Sequence, residues 1–244
     1  MTDHKWRCGA LLGVLTLVPG TGAAGWREGS YADIGTWQQV RFWCDTPARV
    51  LAVTSPARVP GPATLSEWIG NQRRTSPFRM ERDDAGAGNV YTPLTPAGQP
   101  AAQTPRFFVH RSNIENVSDP AYRLSRINEF RVPAGTFRCR YVPQAAVLAA
   151  TAKHSITVWE AGRRVTYASR NRGGTPGVFL TGGVHTTTAQ GRERYVWTRA
   201  GYRYELEVGN PDAGARAGGV LNVWRGDRRL SSWPLLAYTL SLPK

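Results

Sequence analysis

The chain has 244 residues, 41% of them hydrophobic, and its 31 lysines and arginines against 17 acidic residues give a formal charge of +14. That composition excludes a wholly disordered or collagen-like chain and leaves room for one large domain or two small ones. A field this positive favours anionic partners over cationic ones. The charge is almost all arginine, since Lys5, Lys153 and Lys244 are the only lysines.

"MTDHKWR" carries Lys5 and Arg7, "CGALLGVLTLV" is a short apolar run, Pro19 and Gly20 break it, and "TGAAG" supplies small residues. This is the layout of a secretory signal peptide over residues 1–24, with cleavage expected after Ala23 or Ala24. The run is shorter than the roughly 20 residues a membrane helix needs. Cys8 precedes the run instead of ending it, which argues against a lipid anchor. No second long apolar stretch follows, so no transmembrane segment is expected, and the location is read as periplasmic or secreted.

Beyond this leader, strands are expected at about 37–44, 48–54, 64–69, 76–82 and 88–93, from short alternating runs bounded by Gly, Pro and Asp. "DDAGAGN" is a turn and "PLTPAGQPAAQTP" a Pro-rich loop. Strands follow at about 106–112, 122–131 and 136–142. "PQAAVLAATAKH" is the one stretch where a short helix is expected, because Ala and Leu are good helix formers and Pro143 suits a first turn. Three hairpins come next: "HSITVWE" with "RRVTYAS", "ERYVWTR" with "YRYELEV", and "GVLNVWR" with "RRLSSW". They turn at Ala161-Gly162, Ala200-Gly201 and Gly226-Asp227. "LLAYTLSL" is the closing strand. The expected fold is all-β, an antiparallel sandwich or barrel with at most a short helix. Residues 25–143 and 144–244 are read as N-terminal and C-terminal β-rich regions, in one continuous fold or two packed units.

After the leader only Cys44 and Cys139 remain, in the similar aromatic strands "VRFWCD" and "TFRCRYV". An exported protein pairs them by default, so a disulfide is expected. "YRYELEV" decides a second question. Tyr202, Tyr204, Leu206 and Val208 fall on one face and Arg203, Glu205 and Glu207 on the other, the period of a half-buried strand. The rings are therefore expected in a core, and no dedicated nucleic-acid binding is expected from this strand, whose glutamates repel phosphate.

His110, His154 and His185 are scattered, with no HExxH or CxxC, so neither a metal nor any other cofactor is expected. "TGGVHTTT" around His185 offers backbone approach and hydroxyl donors, or is simply a turn leading into a strand. "SRNRGGTPG" places Arg170 and Arg172 before a Gly pair, a pattern that binds anions through guanidinium forks and free amides or serves as a plain polar loop. "NQRRTSPFR" adds Arg73, Arg74 and Arg79. Arg225-Gly226-Asp227 reads as a hairpin turn rather than a recognition tripeptide. Asn116-Val117-Ser118 is a glycosylation sequon where the secretory pathway is eukaryotic. No G-x-S-x-G or Ser-x-x-Lys nucleophile motif is present.

Over about the last hundred residues the order "FRC", "ITVWEAGRRVTY", "TGG" and "YVWTRAGYRYELE" resembles the small secreted C-type lysozyme-inhibitor β-barrels. The resemblance implies a β-barrel and an inhibitory role. The places matching the inhibitors' functional Ser and Lys read Thr181-Gly182-Gly183 and Arg199-Ala200-Gly201 here. The reading from the residues themselves is a non-catalytic envelope protein that binds an anionic wall polymer or polysaccharide, with Arg73, Arg74, Arg170, Arg172 and His185 as candidate contacts. An inhibitor of another protein and a cell-wall hydrolase are the alternatives.

Overall fold

The computed structural model describes residues 25–112 and 122–243. The expected signal peptide, residues 1–24, and the Asn116-Val117-Ser118 sequon lie outside them. The described chain is all-β and antiparallel, as the alternation requires. Among these residues no helix is long and apolar enough to cross a membrane.

The first strand, β1 (Trp26–Asp33), is followed by a meander of β2 (Trp37–Asp45), β3 (Val50–Thr54), β4 (Gly61–Ile69) and β5 (Gln72–Met80). A short β6 (Asp84–Gly86) folds onto β7 (Asn89–Pro96). The meander ends with β8 (Phe108–Ser112), β9 (Arg126–Val132) and β10 (Gly135–Arg138). Phe42, Leu51, Leu65, Phe78, Met80 and Phe130 fill its core. Cys44 and Cys139 are bridged, with Cα atoms 5.0 Å apart. The bond joins the first strand of this meander to the residue just past its last, and Arg140 N donates to Asp45 O beside it at 2.9 Å.

The C-terminal strands are β11 (Ala145–Thr151), β12 (His154–Ala161), β13 (Arg164–Asn171), β14 (Pro176–Thr187), β15 (Arg192–Arg199), β16 (Tyr202–Gly209), β17 (Gly219–Arg225) and β18 (Arg228–Pro243). Each pairs with the next, and β18 returns to β11, with Val147 opposite Leu240 and Ala150 opposite Ala237. The result is a closed eight-stranded barrel. Its interior is a packed core: Trp197, Tyr167, Tyr195, Tyr238, Ile156, Leu206 and Leu221 are among its fully buried side chains. A barrel of this strand number is narrow enough for side chains alone to fill it.

The short helix expected at "PQAAVLAATAKH" is corrected: the segment is β11. Its alanines have helix propensity, but tertiary packing overrides a preference worth only tenths of a kcal/mol per residue. Ala32 on β1, Ala237 on β18 and Ala150 on β11 lie in one row across three paired strands. That row is flat enough to receive Trp43 and Trp68 of the meander, with Val40, Val50 and Ala52 around them. The alanines are there because two indoles dock on them. Trp43 Nε1 then donates to Thr239 Oγ1 at 2.6 Å, satisfying the polar end of a buried ring.

Three further differences from the sequence reading have local causes. β1 lies ahead of the first expected strand. It adds to the outside of β18, with Trp26 opposite Pro243, and Tyr31 stacks on Tyr238 at 5.2 Å. "TGGVHTTT" belongs to one long strand, β14, which passes through Gly182 at φ +71. Gly183 must be glycine because a Cβ there would sit 2.1 Å from the Trp197 indole nitrogen. In β16, Leu206 and Val208 are core and Tyr204 packs against it half-buried, whereas Tyr202, at the hairpin tip, is half-buried outside the core cluster. Glu205 on the other face is not an isolated surface residue: it is 9% exposed and paired with Arg194 at 3.0 Å.

Candidate functional site

The sequence-identified residues fall into three different situations. Arg170 sits at the end of β13, exposed, opposite Ser155. Arg172 is committed internally. It ion-pairs with Asp45, and its guanidinium also donates to Thr46 O at 2.8 Å and Thr151 O at 2.9 Å. Gly173 N adds a bond to Pro47 O at 3.3 Å. The Gly-rich loop thus fastens the barrel to the β2–β3 turn of the meander. Arg73 and Arg74 are exposed on β5 and point to opposite faces. Arg73 Nη1 reaches Asp33 O at 3.4 Å, while Arg74 lies opposite Glu67.

His185 is the centre of an inward-facing network at one end of the barrel. Its Nδ1 is 2.6 Å from Glu160 Oε1 and its Nε2 is 2.8 Å from Glu193 Oε2. A ring facing carboxylates on both nitrogens must be imidazolium, the only form that donates twice. Burial opposes the charge, but the two carboxylates prevail and push the histidine up to about 9. Both glutamates are held below the usual carboxylate range, by His185 in each case and against burial. Asn210 Nδ2 donates to the other oxygen of Glu193 at 2.7 Å, and Arg123 Nη1 to the other oxygen of Glu160 at 3.1 Å. Two cations and two anions balance, and every carboxylate oxygen has a partner. Tyr195 stacks beneath the imidazole at 4.2 Å. His185 therefore ties β12, β14 and β15 together. His110 and His154 lie elsewhere, and no group of three or more metal-ligating side chains is placed to hold an ion among the described residues.

A feature the sequence reading passed over lies on the outer face of β16–β18. Arg203 on β16 is opposite Trp224 on β17, which is opposite Arg229 on β18. The guanidinium carbons lie 4.9 and 5.7 Å from the indole ring, within cation–π range. At the hairpin tips, on the opposite face of the strands, Arg225 lies 5.6 Å from the Tyr202 ring. Glu205 is the acid nearest in the ladder; Arg194 holds it at 3.0 Å, and Arg203 Nε lies 3.8 Å from the same carboxylate. Arg225, Arg228 and Arg229 make no ion pair among the described residues. The signal was present in the sequence. The turn at Gly226-Asp227 puts Trp224 opposite Arg229, and the register between the two hairpins then brings Arg203 into line with them.

A cleft of about 470 Å³ opens between the meander and the barrel. Glu28 on β1, Arg41 and Phe42 on β2, Arg111 at the end of β8, Arg140 and Leu148 help to line it. Ser125 N donates to Glu28 at 2.8 Å, yet the protein packed around this carboxyl raises its pKa above the usual range.

Comparison with protein families, curated proteins and solved structures found no match to this chain.

Proposed function

We propose that this is an exported, non-catalytic protein of the cell envelope that binds an anionic wall polymer or polysaccharide through the outer face of β16–β18. The observation that carries the reading is the row Arg203–Trp224–Arg229, with the two glutamates of the same β16 face, Glu205 and Glu207, ion-paired to Arg194 and Arg192. Guanidinium groups resting on aromatic rings are pre-ordered. Less side-chain entropy is lost when they grip an anion, and their forked donors suit carboxylate, sulfate or phosphate groups. A convex strand surface also suits a long polymer better than a small solute, which needs a concavity. The leader-like residues 1–24 and the bridged cysteines support an extracytoplasmic location. The buried carboxylates Glu160 and Glu193 support binding over hydrolysis, because their oxygens are already engaged.

The test is co-sedimentation of the protein with envelope fractions at low and high salt. Expected are retention at low salt, release at high salt through screening, and loss of retention in Arg203→Gln/Arg229→Gln. Binding that ignores salt, or survives that double substitution unchanged, overturns the proposal.

A further inference from the structure

We infer that the cleft between meander and barrel is a separate binding site for a small sugar bearing one acidic group. The inference does not rest on the polymer reading, since the two surfaces share no residue.

The size comes first. About 470 Å³ lies within the range of small-molecule sites and would hold one or two sugar rings. Charge comes second. Two carboxylates at this junction are each shared by two guanidinium groups. Asp83 meets Arg111 at 2.5 Å and Arg41 at 3.7 Å, and also accepts from Thr92. Asp45 is paired with Arg172 and lies 3.7 Å from Arg140. Positive charge is therefore in surplus, with Glu28 as the other acid on the walls. Arg41 is the loosest of the four, with its side chain 42% exposed and its one ion pair long. It can turn its donors to a ligand without abandoning a tight partner. Arg111 Nε, buried in the same wall, has no hydrogen-bond partner among the described residues.

The remaining lining sets the chemistry of the neutral part. Ser30, Gln39, Ser55 and Thr239 offer hydroxyl and amide groups, and Ser30 Oγ lies 2.8 Å from Thr239 Oγ1. Phe42, Ile127 and Leu148 supply apolar surface between them. Hydroxyl partners alternating with apolar patches match a sugar ring, which has hydroxyl edges and C–H faces. A bare inorganic anion would leave those groups unused.

Calorimetric titration of the full chain tests this with galacturonate, glucose 6-phosphate, galactose and inorganic phosphate. At least one acidic sugar should bind one to one, with galactose and phosphate each about tenfold weaker or more, the value of one charge-assisted hydrogen bond. Arg41→Gln should weaken the acidic sugar by a similar factor. Gln39→Trp, at an exposed rim position, should block the cleft by bulk. Arg203→Gln/Arg229→Gln should leave this binding unchanged while removing envelope retention. No binding of either acidic sugar, equal binding of galactose or phosphate, or indifference to both Arg41→Gln and Gln39→Trp overturns the inference. None of these results bears on the outer face.

Discussion

The barrel and the meander each bring the two ends of a sheet together, by different means. In the barrel, β18 returns to β11 along five paired residues, so the closure is made of the same hydrogen bonds as the walls. In the meander, no ladder joins β10 to β2 among the described residues. Cys44–Cys139 and the Arg140–Asp45 backbone bond hold that seam instead. Closure by hydrogen bonds removes sheet edges and adds no requirement on redox state. Closure by a covalent bond gives the meander a dependence on an oxidising environment that the barrel lacks.

The largest expected effect sharpens that contrast. Cys44→Ala/Cys139→Ala removes a cross-link between residues 95 apart, for which the chain-entropy model gives about 4–5 kcal/mol. Denaturant melts should register the loss, and amide exchange should place it in β2–β10 while β11–β18 stays protected. Equal loss of protection in both would show that they unfold as one cooperative unit, breaking the comparison.

A smaller effect is expected where the two units are fastened. Arg172→Met leaves Asp45, 6% exposed, with the more distant Arg140 as its remaining ion pair. Stranding a buried carboxylate costs about 3 kcal/mol. Arg172→Met/Asp45→Asn should recover part of that in thermal melts. Recovery would attribute the cost to the stranded charge, and its absence to lost packing of the Gly-rich loop.

The smallest effect is confined to the barrel and depends on pH. His185 is raised from 6.5 to about 9 in the folded protein, so its contribution is complete below 6.5 and fades as pH rises to about 9. Glu160 and Glu193 are lowered from 4.5, so theirs is complete above that value and fades as pH falls below it. The network therefore stabilises most between 4.5 and 6.5. The alkaline loss should be on the order of 2 kcal/mol. His185→Gln should flatten the stability profile between pH 6.5 and 9, read from urea midpoints. A profile unchanged by the substitution would remove the network from the account of barrel stability.

The fold was legible wherever one strand carried its own evidence. The hairpins around Ala161-Gly162, Ala200-Gly201 and Gly226-Asp227 alternate cleanly and turn on glycine, and they pair as read. The disulfide was legible from arithmetic, because two cysteines remained once residues 1–24 were read as an expected leader. Legibility failed where a residue's surroundings come from distant chain. Ala145–Thr151 has the local character of a helix, and only the two tryptophans docking on its neighbours explain it. Arg172 had the look of a free anion-binding arginine because nothing in "RNRGGTPG" announces Asp45. His185 was picked out as a site residue on its glycine and threonine neighbours, yet Glu160 and Glu193, which define its chemistry, lie on other strands. Glu205 and the row through Trp224 required the register of adjacent hairpins rather than the pattern of one.

The long final strand, β18, sets the order of assembly. Its early residues pair with β17, and its later residues pair with β11 on one edge and β1 on the other. β1 pairs locally with β2 through Tyr31–Asp33, but its pairing with β18 waits for almost the whole described chain, since Trp26 lies opposite Pro243. Contacts this distant in sequence slow folding, because a large loop must close before they form. The meander, with mostly sequential neighbours, can collapse first and present Trp43 and Trp68. The barrel seals last, when β18 arrives to meet β1 and β11 together. A chain interrupted within β18 would hold an open sheet with two unpaired edges, the form most exposed to aggregation and proteolysis.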